Sequence, residues 1–301
     1  MRVTVGAAPR RDKLAPVEPH DPLADRPDDP HAALDALLAE EALSDDAIAG
    51  TFRVVQRVRG HRYSLDDLAT AYEAARAVPD AQRVLDLGCG LGSVLTMLAW
   101  KLPDARLVGL EAQAISLALA RRNVLRNGLT SRVALVHGDL RDDAVLARAM
   151  SLGGPFDLVT GTPPYMPPGT ATPSPDSQRA HARVELRGGV EDYAQAVAKV
   201  LAPGGTALVC ADARTPERAI DGARRAGLVC VALRDVIPRE GTKGALFSVF
   251  TLRHTDDARG VDVMRNPPLV VRDAGGARTK AAHDLRRFFD LPVDVSEPAS
   301  P

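Results

Sequence analysis

Cysteine is scarce in this 301-residue chain, and its three cysteines, Cys89, Cys210 and Cys230, are an odd number with no short metal-type spacing. That argues against a disulfide framework and against a cysteine metal site. Each lies in an apolar or glycine-rich stretch, so they read as core thiols in a reducing compartment. Long apolar runs are also missing. No stretch approaches the ~18 residues a membrane span requires, and Pro, Asp and Arg occupy the start of the chain where a secretory leader would be apolar. The expectation is a soluble, cytoplasmic protein with no membrane partner. Net charge is nearly absent, at −1 for pH 7, but it is unevenly spread. Acidic residues outnumber basic ones in residues 1–46, which leaves a body with a basic excess that permits an RNA partner without demanding one. There is no internal repeat, and bias of composition is confined to the N-terminal tail.

What is present suffices for a large core, since 45% of the residues are hydrophobic. Residues 1–30, rich in Pro, Asp and Arg, bury too little to order themselves and read as a tail. Residues 31–80 read as a segment preceding the core. Within it, His31 to Ile48 carries Leu34, Leu37, Leu38 and Leu43 at helical spacing, Thr51 to Val58 is strand-like, and Tyr63 to Ala77 is a helix with Ser64 as its N-cap. Residues 81–256 read as the main domain and 257–301 as a C-terminal extension.

From Arg83 onward the pattern alternates. Strands are expected near 83–88, 106–111, 132–137, 156–161 and 205–211, with helices near 92–101, 113–127, 189–202 and 216–226. Two further apolar strands, near 228–237 and 245–254, are separated by too few residues for a crossover helix and must pair antiparallel. The expected fold class is α/β, a doubly wound Rossmann-like seven-stranded sheet of five parallel strands followed by an antiparallel terminal hairpin.

The chemistry-bearing motifs sit at strand ends. Val84 to Gly92 reads V-L-D-L-G-C-G-L-G, an apolar strand running into a glycine cluster. Gly88, Gly90 and Gly92 remove the side chains that would keep a nucleotide-type cofactor off the backbone, and Asp86 stands at the strand end. The next strand finishes at Glu111, where an acid can accept from both hydroxyls of a ribose. A third ends in His137-Gly138-Asp139, and Asp139 is placed to meet an adenine amine. The G-x-G-x-G spacing differs from the G-x-G-x-x-G of dinucleotide dehydrogenases. A later strand ends in Gly161-Thr162-Pro163-Pro164-Tyr165, a proline-stiffened loop presenting one aromatic ring at the same sheet edge. The two motifs together point to methyl transfer from S-adenosylmethionine (SAM), with no metal. Met166 to Arg187 then reads as a long loop, a lid whose Arg179 and Arg183 contact phosphate.

These motifs resemble the class I SAM-dependent methyltransferases, and the bacterial tRNA1(Val) adenine-N6 methyltransferase family in particular. Gly60-His61-Arg62-Tyr63-Ser64-Leu65-Asp66 resembles its G-Y-R-F-S-L-D segment, Ala182 to Glu185 its A-R-H-E, Pro238 to Gly241 its P-R-E-G, and Pro268 to Val271 its P-P-L-V. The resemblance implies that Ser64 and Asp66 flank the cofactor and that the substrate is RNA. In the N-P-P-Y amino-methyltransferases, the Asn side chain and the first Pro carbonyl accept the amine protons while Tyr stacks on the base. Thr162, Pro163, Pro164 and Tyr165 occupy those positions here, with Thr replacing Asn. Two alternatives stand beside an adenine amine: a protein glutamine or small-molecule acceptor, as in the related release-factor enzymes, and a SAM-binding scaffold without catalysis.

Overall fold

A computed structural model describes residues 38–39, 41–170, 174–258 and 260–293. The tail expected over residues 1–30 lies outside them. Residues 43–57 form a hairpin of β1 (Leu43–Ala49) and β2 (Phe52–Arg57), paired antiparallel. Helix α1 (Leu65–Ala77) follows. Then come β3 (Arg83–Leu87), α2 (Ser93–Lys101), β4 (Arg106–Glu111), α3 (Ala114–Arg126), β5 (Val133–His137), α4 (Asp143–Gly153) and β6 (Phe156–Gly161). The chain continues through α5 (Ser177–Arg183), α6 (Val190–Val200), β7 (Leu201–Asp212), α7 (Pro216–Arg225), β8 (Leu228–Ile237), β9 (Phe247–His254), β10 (Met264–Val270) and α8 (Lys280–Phe288).

Strands β3 to β10 make one sheet in the order β10-β8-β9-β7-β6-β3-β4-β5. Pairing is parallel from β7 through β6, β3 and β4 to β5, and antiparallel where β9 inserts between β7 and β8. Central strands such as β3 are buried along nearly their whole length, which is why they read as continuous apolar runs. One core, holding Leu68, Leu95 and Leu119 of α1 to α3, fills one face of the sheet, and another, holding Leu146, Val197 and Ala219 of α4, α6 and α7, fills the other. The fold class is as expected.

Four details depart from expectation. Residues 43–48 are strand, not helix: the Leu spacing is helical, but main-chain pairing from Leu43↔Arg57 to Ala49↔Phe52 buries Ile48 and Ala49 against the body. Tertiary pairing outweighs a short helix, which is marginal alone. Helix α4 has no counterpart in the sequence reading, although Asp142 caps it by accepting from the Ala144 N–H. The segment 166–187, expected as a loop, contains α5. The sheet also has eight strands rather than seven, because residues 264–270 add β10 parallel to β8. Just past α8 the chain closes back on the hairpin and on α2, with the Phe289 carbonyl accepting from Gly50 N–H and Asp290 accepting from the Trp100 indole at 2.8 Å.

Candidate functional site

Chain order along the sheet reverses between β3 and β6: β4 and β5 lie to one side of β3, and β6 and β7 to the other. The carboxyl ends of strands flanking such a switch open a crevice. Here it is a cavity walled by the turn after β3, the ends of β4 and β5, the loop after β6 and the segment that leads into α1.

Gly90 sits at φ 56°, and a Cβ built there would meet no heavy atom within 4 Å, so the turn presents bare backbone to open space. Glu111 holds that turn. Its Oε2 accepts from Gly90 N–H at 2.8 Å and its Oε1 from Gln113 N–H at 2.6 Å, while the carboxylate lines the cavity. Burial raises its pKa, partly offset by those hydrogen bonds. Asp139 lines the far end, where hydrogen bonding from Arg141, 2.7 Å away, keeps it below the usual carboxylate range.

At the other end stand Thr162 and Asp67. The Thr162 hydroxyl donates to Asp67 Oδ1 at 3.4 Å, and Asp67 Oδ2 accepts from the Ser64 N–H at 2.9 Å as the third residue of a capping box. Asp67 is 7% exposed. Burial above all, then the charges of Asp66 and Asp86, push its pKa up to about 8. Asp86 lies behind the cavity wall, accepting from the Thr160 hydroxyl at 2.8 Å. Its other oxygen, Oδ2, has no hydrogen-bond partner among the described residues. Burial lifts it to about 7, against the Thr160 hydrogen bond and with help from Glu111.

Three buried acids thus converge on one crevice, and their mutual repulsion is relieved by a cation placed among them. A sulfonium carrying an α-ammonium group has that charge, and the bare Gly90 backbone leaves room beside it. The residues present therefore fit SAM.

Of the residues singled out from sequence, Gly88, Gly90, Glu111, Asp139, Thr162 and Pro164 line the cavity. Gly92, at φ 83°, caps α2, and Pro163 is buried beside Thr162. Ser64 and Asp66 lie outside the lining: exposed Ser64 donates to Asp66 as the N-cap of α1, and it is their neighbour Asp67 that reaches inward. Tyr165 is half-buried and lies outside the lining, and burial and the charge of Asp66 raise its hydroxyl pKa. Arg179 turns away, donating to the Gly60 carbonyl at 2.9 Å, while Arg183 is exposed.

Helix α5 is pinned rather than loose. Buried Gln178 accepts from Arg57 and from the His61 N–H, each at 3.1 Å, and donates to Ser116 at 3.2 Å. This brings His181 and Arg187 to the cavity along with His61, whose pKa is lowered by burial. Sequence reasoning missed Asp67, Tyr63, Ser116 and Tyr193, which also line it. Asp67 had a signal, the S-x-x-D of the capping box, but that pattern reads equally well as a helix start.

Residues 84–167 match a family model described as a methyltransferase domain. The matched stretch runs from β3 to the loop after β6 and carries much of the cavity wall. The chain is similar to the release factor glutamine methyltransferase of Geobacter sulfurreducens, at 35% identity over 46% of this chain and 48% of that one. It is similar to the tRNA1(Val) (adenine(37)-N6)-methyltransferase of Porphyromonas gingivalis, at 31% over 44% and 50%. It is also similar to a 4-amino-L-phenylalanine/4-methylamino-L-phenylalanine methyltransferase of Streptomyces pristinaespiralis, at 31% over 54% of each. The chain spans half or less of the length of the first two of these relatives. The fold matches the crystal structure of a predicted O-methyltransferase from Agrobacterium tumefaciens, with TM-score 0.56 and 19% identity over 77% of this chain and all of that one.

Proposed function

We propose that the protein is a SAM-dependent N-methyltransferase acting on a nitrogen conjugated to a ring or carbonyl, and that its acceptor is the exocyclic N6 amine of adenine in tRNA or other structured RNA. The observation that carries this reading is the meeting of the Thr162 hydroxyl and the buried Asp67 carboxyl at one edge of the acid-lined cavity.

A conjugated amine is a poor nucleophile because its lone pair is shared with the ring. Acceptors for both of its protons favour the pyramidal form that attacks a methyl group, and they stabilise the charge that develops on nitrogen. Thr162 has one heavy atom fewer than the Asn of the N-P-P-Y loop and is itself a donor. Asp67 makes up the deficit, because its carboxylate accepts at a point Thr162 alone does not reach. The carbonyl of Pro163 is the second acceptor, its direction set by Pro163 and Pro164, and Tyr165, next in the chain to the lining residue Pro164, is the ring assigned to stacking.

Bound SAM supplies the electrophilic methyl group. Glu111 would hold the ribose hydroxyls and Asp139 the adenine amine, and Gly90 would give the backbone its close approach, while Gly88, which also lines the cavity, leaves room for the Tyr193 hydroxyl. Asp86 lends negative charge from behind the wall.

A second reading, methylation of a glutamine amide or of a small aromatic amine, is favoured by the Geobacter and Streptomyces relatives. All three relatives named act on a nitrogen with the same electronic handicap, and the reading of the acceptor edge serves each of them. Incubation with methyl-labelled SAM and whole-cell extract, followed by digestion, separates them. Release of label by nuclease is the expected result. Release by protease alone would move the acceptor to protein, and label in no macromolecule would leave the small-molecule reading.

A further inference from the structure

On the opposite side of the first turn of α1 from Asp67 lies a second cavity, of about 390 Å³, between the N-terminal segment and the C-terminal extension. That is within the range of small-ligand sites. Its floor is apolar, with Leu68 of α1, Leu269 of β10 and Leu285 of α8, and Tyr63 forms a wall it shares with the first cavity. The Tyr63 hydroxyl is tied to the Ala47 carbonyl at 3.2 Å, so this wall is held in place.

The polar lining is of opposite sign to that of the first cavity. Arg62, Arg272, Arg278 and Arg286 line it, with Asp46 as the one acid. Asp46 pairs with Arg62 at 3.0 Å. Arg272 donates to the Gly276 carbonyl at 2.7 Å and Arg286 twice to the Pro292 carbonyl, at 2.8 and 2.7 Å. Contacts to neutral carbonyls orient a guanidinium without cancelling its charge. The site therefore suits an anion with a flat or apolar body and is hostile to the cationic methyl donor, whereas the first cavity has the reverse preference.

We propose that this cavity binds a nucleotide of the substrate strand adjoining the one being methylated, its phosphate on the arginine rim and its base on the apolar floor beside Tyr63. The inference rests on the RNA reading above and adds to it a specificity site outside the methyl-transfer cavity. Single-stranded RNA is read in this way, by splayed bases on rings and phosphates on arginines. The single wall at Tyr63 makes neighbouring nucleotides the natural pair of occupants.

The test uses full-length protein saturated with S-adenosylhomocysteine, so that the first cavity is blocked, and titrates it with uridine monophosphate. Saturable binding is expected, weakened by about tenfold or more in an Arg272→Glu/Arg278→Glu double variant, as loss and reversal of charge-assisted phosphate contacts requires. In the same variant the KM for RNA should rise with kcat held, while SAM affinity, which reports the fold, stays as in the wild type. Three results would overturn the proposal: no saturable binding, uridine monophosphate binding no better than inorganic phosphate, or equal binding by the variant. The first would mean that the cavity takes no nucleotide. Methylated RNA with an unchanged KM in the variant removes the cavity assignment alone. Failure of the wild type to methylate any RNA removes the functional reading, whatever the titration gives.

Discussion

Asp67→Asn should lower kcat by about 10²- to 10⁴-fold, the range associated with a positioned proton acceptor, while leaving the affinity for SAM nearly unchanged. Asparagine keeps one oxygen, which can still accept from the Ser64 N–H where Oδ2 now does, and its NH2 then faces the Thr162 hydroxyl, which turns from donor to acceptor, so the capping box and the loop survive. What it loses is the charge that accepts from the substrate nitrogen. The pH profile gives a second readout. Since burial and neighbouring acids raise Asp67 to about 8 in the free protein, wild-type kcat/KM for SAM, which reports the free protein, should climb as pH rises toward 8, whereas the variant should lack that limb.

Stability should move the opposite way. A carboxyl whose folded pKa exceeds its unfolded value of about 4 contributes stability that is fully present below the unfolded value. That contribution is lost as pH rises through the folded one, because the folded state binds the extra proton. In the absence of SAM, thermal unfolding of the wild type should therefore weaken from pH 5 to pH 8. Asp67→Asn should weaken less and be the more stable protein at pH 8. Asp86, raised to about 7, keeps part of the slope in the variant. An unchanged kcat with an unchanged pH profile would show that Asp67 only caps α1.

Glu111→Ala should weaken SAM binding by about 100-fold or more, since hydrogen bonds to a charged acceptor contribute roughly 1.5–3 kcal/mol each and the ribose supplies two. The substitution also strips the acceptor from Gly90 N–H and Gln113 N–H, which loosens the turn that carries the bare backbone. Calorimetric titration reads the loss directly. At saturating SAM, kcat should fall far less than in Asp67→Asn. The two substitutions thus divide donor binding from acceptor chemistry: one raises the KM for SAM, the other lowers kcat. Loss of kcat in both, with SAM affinity intact, would contradict the division of the cavity into two ends.

The parts of the fold that were legible in the sequence are those where local pattern and burial agree. Strands β3, β4 and β6 are apolar along their length because both faces of the sheet are covered, and the glycines after β3 mark a turn that needs positive φ. Where a pattern admits two answers, packing decided. Leu43 to Ile48 fits a helix until β2 is there to pair with it, and the chain from 264 to 270, with Pro267 and Pro268 inside, resembles no interior strand because it lies at the sheet edge.

The candidate site was legible at Glu111, Asp139 and Thr162, since strand ends in a doubly wound sheet converge on the switch point. Asp67 was not, because an acid in the first turn of a helix is expected for capping alone. Its approach to Thr162 joins residues far apart in sequence. Likewise Arg179, read as a phosphate contact, satisfies the Gly60 carbonyl once Gln178 anchors its helix.

The account depends most on where the methyl group of the donor lies. Protein bound to SAM labelled with ¹³C in the methyl group can be examined by NMR for Overhauser contacts from that methyl. Contact with the side-chain methyl of Thr162, lost in Thr162→Ser, is the predicted result. A bound donor whose methyl shows contacts only toward Asp139 and the end of β5, or a protein that takes up no donor at all, would contradict it.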